Sequence, residues 1–347
     1  MEITAAVLTR IGFPLEIKRL TTPKLLPGQV LVQILFSGVC RSQLMEVQGR
    51  RGKDKWLPHL LGHEGSGKVV DIGAGVSKVQ PGDDVIIGWL KGLGLEAEGA
   101  KYKCGEETIN SGPVTTFSNY SIVSENRLIK KPSNLLPDHA VLYGCAIPTG
   151  AGIVLNQLNV NSHSRVIIIG LGGIGLAALL MLHAKGVKDI VAVDVSNEKL
   201  KYAKQMGINQ LFNISQGPEI ERLQKYVGDG ADYCVESAGL IETIELGFSL
   251  IKKQGGKLVF ASHPPDGHYI KILPHELISG KEILGTWGGN TNPDIDIPKI
   301  NQILMNSAVS YEKLLNKKYN LEDINQAFYD LEVGRVFRPL IVMHHDI

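Results

Sequence analysis

The feature that most constrains the fold of this chain is a β-branched run that leads straight into a glycine-rich loop. Residues 166–169 read Val-Ile-Ile-Ile, the composition of a buried strand, and residues 170–175 read Gly-Leu-Gly-Gly-Ile-Gly. Residues 174–185 then have the length and composition of a helix. A strand, a glycine turn and a helix in this order are typical of a doubly wound sheet that binds a dinucleotide.

The glycines of this loop meet separate physical demands. Gly170 permits the tight turn, Gly172 lets the backbone approach a pyrophosphate, and Gly175 allows the helix to pack closely on the strand. The unpaired N–H groups at the start of the helix favour a phosphate. The predicted cofactor-binding loop therefore comprises Gly170, Gly172, Gly173, Ile174 and Gly175.

An acidic residue ends the next predicted strand. Asp194 follows Gly175 by about 20 positions, where a carboxylate accepts hydrogen bonds from the adenosine ribose. The same charge repels a 2′-phosphate, so we expect NAD rather than NADP. The alternative is a glycine turn in an α/β domain that binds no nucleotide, with Asp194 as a capping residue.

Two regions of different pattern divide the chain, and its 347 residues are enough for two domains. Residues 1–146 hold short strand-like runs between Pro-Gly turns, which predicts a β-rich, barrel-like domain. Residues 147–285 alternate strands with helices, which predicts an α/β domain with a parallel, doubly wound sheet. Residues 286–347 are expected to complete the first domain with helical stretches at 298–305 and 321–331 and a final strand at 339–343.

Composition excludes several classes of partner. A net charge of +1 is too small to track a phosphate backbone, so we expect no nucleic-acid partner. The longest apolar run, residues 166–182, carries four glycines and reads as a strand, turn and helix rather than a membrane span. The four cysteines are widely spaced and no secretory signal is evident, so we expect a reduced, cytoplasmic setting.

The candidate metal ligands are Cys40, His63 and Cys145. Two thiolates and an imidazole suit zinc, and three protein ligands leave a fourth position for water or substrate. Taken singly, each has another interpretation: the cysteines as small buried apolar residues, and His63 as a core histidine.

The segments around these residues resemble the zinc-containing medium-chain alcohol dehydrogenases over essentially the whole chain, with the alcohol and glutathione-dependent formaldehyde dehydrogenases as the nearest group. The motifs occur in that family's order: Val39-Cys40-Arg41-Ser42, Gly62-His63-Glu64, Gly144-Cys145, Thr149-Gly150, the loop 170–175 and Gly334-Arg335-Val336-Phe337-Arg338.

This resemblance implies a GroES-like catalytic domain, a Rossmann domain and one catalytic Zn²⁺ per chain. Cys40, His63 and Cys145 would be the zinc ligands, and Glu64 the adjacent acid that approaches the metal during ligand exchange. The substrate of such an enzyme would be a small alcohol or its carbonyl counterpart, with NAD as the hydride acceptor.

The resemblance also assigns roles around the cofactor. Arg41 and Arg338 would bind the pyrophosphate, and Thr149 would lie beside the nicotinamide. Ser42 would hydrogen-bond the substrate hydroxyl and pass its proton outward. His263, in the loop 261–265, would line the substrate pocket; the alternative is a solvated loop histidine.

The sequence departs from the family at three places. Residues 88–113 contain a single cysteine, Cys104, so the family's structural zinc site with four cysteines is absent. Residues 93–102 are expected to form a surface loop, or alternatively a mobile lobe at the substrate entrance. Gln43 stands where relatives place an aspartate that orients the zinc-ligating histidine, which predicts a weaker anchor for His63. Met45 replaces a proton-relay histidine, so the proton leaves by another route.

Other functions stay open at this point. A polyol or sugar dehydrogenase shares the Cys/His site, a zinc-free quinone or enone reductase shares the fold, and a non-enzymatic descendant would keep only the architecture. The intact set of candidate ligands argues against the last two. By analogy with the family we expect a homo-oligomer, a dimer or alternatively a tetramer.

Overall fold

Two compact units make up the protein in the computed structural model. The described residues are 1–264, 267–307, 312–315 and 317–345. The first unit takes its described residues from Met1–Cys145, Asn292–Pro298 and Glu312–Ile347, and the second from Ala146–Thr291 and Lys299–Tyr311. The second unit therefore runs past the expected boundary at residue 285 and takes in a short later segment.

The strands differ in length and partner between the two units. In chain order they are β1 (Glu2–Leu8), β2 (Glu16–Thr21), β3 (Gln29–Gly38), β4 (His59–Leu60), β5 (Gly65–Ile72), β6 (Asp84–Ile87), β7 (Lys101–Cys104), β8 (Glu107–Asn110), β9 (Tyr120–Ser124), β10 (Leu128–Lys130), β11 (Arg165–Ile169), β12 (Asp189–Asp194), β13 (Gln210–Asn213), β14 (Tyr233–Glu236), β15 (Lys257–Phe260), β16 (Glu282–Gly285), β17 (Lys318–Asn320) and β18 (Leu340–Val342).

Most of the longer helices belong to the second unit. The α-helices are α1 (Arg41–Val47), α2 (Pro137–Ala140), α3 (Ala146–Gly152), α4 (Gly173–Ala184), α5 (Asn197–Gln205), α6 (Gly217–Val227), α7 (Ile241–Leu250), α8 (Pro274–Ile278), α9 (Pro293–Met305) and α10 (Ile324–Glu332).

Short strands build two antiparallel-rich sheets in the first unit. One closes as a barrel in the order β1-β2-β7-β8-β4, and the other has the order β10-β6-β5-β3-β18-β17, with β9 also paired to β3. Tyr102 on β7 is fully buried in the barrel core, so the end of the segment 93–102 is a core strand and the expectation of a surface loop was wrong there.

The end of the chain returns to the first unit. In α10 the apolar residues Ile324, Ala327, Phe328 and Leu331 recur at the helical period and are buried. The ring of Phe328 meets that of Phe117 edge-on, with centroids 5.9 Å apart. Strand β18 pairs antiparallel with β3, so the last strand lies beside the strand that leads to Cys40.

A six-stranded parallel sheet of order β13-β12-β11-β14-β15-β16 forms the second unit. The β-branched residues of β11 are buried because helices cover both faces of such a sheet. The predicted fold class, a doubly wound sheet with a β-rich barrel domain, is confirmed. None of the helices in the described ranges has both the length and the apolar composition that crossing a membrane requires.

Candidate metal and cofactor sites

Strand ends in the first unit bring the candidate metal ligands together. Cys40 follows β3, His63 precedes β5, and these two strands pair antiparallel with Ser37 opposite Gly65. Cys145 follows the short 3₁₀ turn Val141–Gly144. The ligating atoms of Cys40, His63 and Cys145 lie within 4.8 Å of one another, so residues far apart in sequence form one cluster.

The charges of this cluster are coupled. A hydrogen bond from the Cys145 thiol holds the pKa of Cys40 well below its ordinary value, although burial opposes this. The same contact, together with burial, raises the pKa of Cys145 well above its ordinary value. Burial lowers the pKa of His63, but the hydrogen bond and charge of Cys40 outweigh burial and raise it. Without a cation, therefore, the cluster ionises only one of its two thiols.

Glu64 lies directly behind the cluster and is fully buried. Burial raises its pKa to about 7, although the guanidinium of Arg338 acts in the opposite direction. Arg338 Nη1 lies 3.2 Å from Glu64 Oε1 and also donates to the carbonyl of Val39 at 3.4 Å. The buried Arg338 thus belongs to the surroundings of the metal ligands in the first unit; its contact with a pyrophosphate stays a prediction.

Gln43 contacts a different group from the one that its position suggested. Its Oε1 accepts a hydrogen bond of 2.8 Å from the backbone N–H of Cys40, and its Nε2 is buried with no partner among the described residues. The carbonyl therefore anchors the loop of one candidate ligand, Cys40, rather than the ring of His63. The contact closes within the first turn of α1, so the capping-box spacing of Cys40 and Gln43 was the signal available in the sequence.

Ser42 stands in the first turn of α1, two residues after Cys40. Its hydroxyl oxygen is buried and has no hydrogen-bond partner within the described part of the chain. A buried hydroxyl normally has one, so this group is available to a bound molecule. Arg41 beside it is exposed, and Met45 lies on the same helix.

A cavity of about 670 Å³ opens beside this cluster within the first unit. His63 and Gln43 line it, together with polar side chains that include Glu46, His59 and Asn110. The space is large enough for a small organic molecule. Its lining is mixed rather than purely apolar.

The glycine loop of the second unit has the geometry that its sequence predicted. Gly170 has a φ of +89°, which disfavours other residues. A Cβ on Gly175 would lie 1.9 Å from the carbonyl oxygen of Gly170. A Cβ on Gly172, the residue that caps α4, would meet nothing within 4 Å, so open space lies in front of the helix N-terminus.

Asp194 is tied to this loop. Its Oδ2 accepts from the backbone N–H of Leu171 at 2.6 Å and its Oδ1 from that of Ser196 at 2.9 Å. Sequence reasoning missed Lys199, whose Nζ lies 3.7 Å from Asp194 Oδ2. The signal available in the sequence was that Lys199 follows Ser196, the N-cap of α5, by three residues. This cation offsets part of the carboxylate charge.

The remaining predicted residues also lie in the second unit. Thr149 is buried on α3. His263 is exposed, and its ring meets that of Trp287 edge-on with centroids 5.2 Å apart. Residue 265 of the same predicted loop falls outside the described residues.

Comparison with known proteins places these sites in a family. The model of the alcohol dehydrogenase GroES-like domain matches residues 26–133, and the model of the zinc-binding dehydrogenase matches residues 173–304. The alcohol dehydrogenase class-3 of Cereibacter sphaeroides is 27% identical over 99% of this chain and 100% of its own length.

Two crystal structures have the same fold over nearly the whole chain. An alcohol dehydrogenase zinc-binding domain protein from Burkholderia ambifaria superposes with a TM-score of 0.90 at 26% identity, covering 99% of this chain and 100% of its own. Benzyl alcohol dehydrogenase from Acinetobacter calcoaceticus gives a TM-score of 0.88 at 26% identity, with the same coverage. With both domain models matched in order, the chain belongs to the zinc-type medium-chain alcohol dehydrogenases.

Proposed function

We propose that this protein is a zinc-dependent alcohol dehydrogenase that transfers a hydride between an alcohol, or its aldehyde or ketone, and NAD. The observation that carries the proposal is the convergence of Cys40, His63 and Cys145. Ser42, two residues after Cys40, adds a buried hydroxyl that has no hydrogen-bond partner among the described residues. Family membership supports the reaction class.

The three ligands fit zinc by chemistry and by spacing. Ligands at about 2.0–2.3 Å from a tetrahedral ion lie roughly 3.3–3.8 Å apart, which the atoms of this cluster reach with small shifts. Zinc bound there supplies the Lewis acidity that lets an alcohol hydroxyl lose its proton near neutral pH. We place Glu64 next to the metal during ligand exchange, where its charge remains balanced by Arg338.

The second unit fits a dinucleotide. The open space at Gly172 faces the N-terminus of α4, where N–H groups and the helix dipole favour a pyrophosphate. Asp194 would accept hydrogen bonds from the ribose, and the nicotinamide ring accepts the hydride. Arg41, Arg338 and Thr149 complete the proposed cofactor contacts.

The side chains of the protein perform the proton transfer. Ser42 would hold the substrate hydroxyl, accept its proton and pass on its own, because its buried oxygen has no hydrogen-bond partner in the described part of the chain. Met45 has no titratable group, so the proton would pass on through another group, water or the cofactor ribose. His263 would contact a polar part of the substrate from its exposed loop.

A polyol or sugar as substrate is the second candidate, favoured by the polar lining of the cavity next to His63. A zinc-free quinone or enone reductase is disfavoured by the complete ligand set. The class of substrate therefore distinguishes an alcohol dehydrogenase from a polyol or sugar dehydrogenase. Bound zinc distinguishes both of these from the zinc-free reductase.

The test measures zinc and NAD reduction in the same preparations. We expect about one zinc per chain and activity with a panel of primary alcohols, secondary alcohols and polyols. Cys145→Ser should lose both zinc and activity. Cys104→Ser is the matched control, since Cys104 lies on β7 outside the cluster. Activity that survives complete removal of the metal would refute the proposal.

We also propose a cytoplasmic homodimer. Strand β16 is an edge of the parallel sheet, and exposed apolar side chains lie near it in sequence, among them Leu273 and Ile278, which are 70% and 80% exposed. An uncovered apolar edge of this kind favours pairing with a second copy. Light scattering should give the mass of two chains; four chains would favour the tetramer.

A further inference from the structure

The last residue of strand β14 lies where the parallel sheet of the second unit switches from one edge to the other. Strands β11, β12 and β13 follow one another toward one edge, whereas β14, β15 and β16 follow one another toward the opposite edge. Glu236 ends β14 and pairs with Ile169, which ends β11. In open parallel sheets the crevice at such a switch point is where a ligand binds. We propose that Glu236 is a positioning residue for NAD that acts by accepting hydrogen bonds, an inference that rests on the proposed function.

The carboxyl group of Glu236 holds the turn that follows it. Its Oε1 accepts hydrogen bonds from the backbone N–H groups of Ala238 and Gly239 at 2.8 and 2.9 Å. The hydroxyl of Thr243 donates to the same oxygen at 2.8 Å. Gly239 has a φ of +77°, a conformation that favours glycine. Three donors on one oxygen therefore fix the turn at residues 237–239.

This turn packs directly against the glycine loop. The Oγ of Ser237 donates to the carbonyl oxygens of Gly170 at 2.7 Å and of Ile169 at 3.3 Å. A Cβ on Gly170 would lie 2.7 Å from the backbone nitrogen of Ala238. A Cβ on Gly175 would lie 2.7 Å from Ser237 Oγ. Because no space separates the turn from the loop, the position of the turn determines the position of the loop.

The environment of Glu236 favours a role in hydrogen bonding rather than in charge. The side chain is fully buried, and its Oε2 has no hydrogen-bond partner among the described residues. Burial raises the pKa of Glu236, although the hydrogen bonds from Thr243 and from the two N–H groups of the turn act in the opposite direction. A raised pKa favours the neutral carboxyl, whose carbonyl oxygen accepts the same hydrogen bonds. An amide at this position should therefore hold the turn as well.

A buried carboxyl group of the first unit provides a matched control. Glu125 is also fully buried. Its two oxygens accept hydrogen bonds of 2.6 Å from the backbone N–H groups of Ser77, Lys78 and Leu95, all in the first unit. Glu125→Ala therefore leaves three donors without their acceptor, as Glu236→Ala does, but these donors do not belong to the turn at residues 237–239.

The test measures NAD affinity by calorimetry, and Tm without NAD, on the zinc-loaded full-length protein. Glu236→Ala should weaken NAD binding by about 10-fold or more, because the turn loses the acceptor that fixes it. Glu236→Gln should bind NAD about as tightly as the unmodified protein. Glu125→Ala should lower Tm and leave NAD affinity unchanged.

Two further measurements separate positioning from a general loss of stability. Ser237→Ala should also weaken NAD binding, and the double variant with Glu236→Ala should lose less affinity than the product of the two single losses, because both changes act through one turn. In steady-state kinetics Glu236→Ala should raise the KM for NAD, with the KM for the alcohol and the zinc content unchanged.

Unchanged NAD affinity in Glu236→Ala would overturn the proposal. An equal loss in Glu125→Ala would do so as well, since it would indicate a general effect of stability, and an equal loss in Glu236→Gln would exclude the hydrogen-bonding role. If Glu236→Ala does not fold, Ser237→Ala decides, and normal NAD affinity in that variant refutes the proposal. An unmodified protein that binds no NAD would refute the proposed function too, which distinguishes the two failures.

Discussion

Two alanine substitutions in the glycine loop separate folding from cofactor binding. Gly175→Ala places a Cβ 1.9 Å from the carbonyl oxygen of Gly170 and 2.7 Å from Ser237 Oγ. Gly172→Ala places a Cβ in open space, at a residue whose φ of −80° suits alanine. The first change therefore acts on the protein itself, and the second on whatever occupies the space in front of α4.

The contact distances give the expected magnitudes. Gly175→Ala forces helix and strand apart and should cost about 1–3 kcal/mol, the usual range for an overpacked core. For a unit of this size each kcal/mol lowers Tm by about 2–4 °C. Gly172→Ala should cost about 1 kcal/mol at most, because alanine is a poorer N-cap residue than glycine. Its methyl group should weaken NAD binding by about 10-fold or more, which corresponds to about 1.4 kcal/mol.

The assay combines thermal unfolding without NAD and calorimetric titration with NAD on both variants. The expected pattern is the larger decrease in Tm for Gly175→Ala, and a smaller decrease in Tm with weaker NAD binding for Gly172→Ala. If Gly172→Ala binds NAD as tightly as the unmodified enzyme, the pyrophosphate does not lie over this glycine and the assignment of the loop fails.

Five further changes test other parts of the protein. Ser42→Ala should reduce the rate of alcohol oxidation by about 10²–10⁴-fold with NAD affinity unchanged, measured by steady-state kinetics. Asp194→Ala should narrow the preference of kcat/KM for NAD over NADP, and Lys199→Ala should widen it, because Lys199 lies 3.7 Å from that carboxylate and would attract a 2′-phosphate. His263→Ala should alter substrate preference; an unchanged alcohol panel would remove it from the site. Hydrogen bonds from Lys317 and Tyr319 hold the pKa of Asp330 well below its usual range. The ionised Asp330 therefore stabilises the folded protein above about pH 4, and this stabilisation is lost as the pH falls. Asp330→Asn should lower Tm at pH 7 by more than at pH 3.

The elements that the sequence predicted well are those with a strong local pattern. The strand predicted on the run 166–169 is β11 (Arg165–Ile169), and α4 begins one residue before the predicted helix. A β-branched run and a glycine turn act within a few residues, so no distant contact is needed to identify them. Helix α9 instead begins at Pro293, five residues before the predicted start at Pro298. Proline is common at the first position of a helix, so Pro298 indicated a start although it lies inside the helix.

The parts of the site that the sequence did not predict depend on contacts between distant elements. The cluster of Cys40, His63 and Cys145 followed from family resemblance, because nothing local to Cys145 indicates that it lies beside β3 and β5. The pairing of Arg338 with Glu64 arises only because β18 adds to β3 at the end of the chain. Periodicity cannot report which elements become neighbours, so such pairs require either a structure or a relative.

The charge state of the cysteine cluster would change when a cation binds to it. Cys145 keeps its proton because it donates to the Cys40 thiolate, and both groups are removed from water. The nearest buried ions, Glu64 and Arg338, largely cancel each other, so they do not supply the charge that a second thiolate needs. A divalent ion does supply it, and its binding would release the remaining thiol proton. With one thiol protonated, the Cys40 thiolate is balanced by the protonated imidazole of His63, whereas a dication would balance two thiolates and a neutral imidazole.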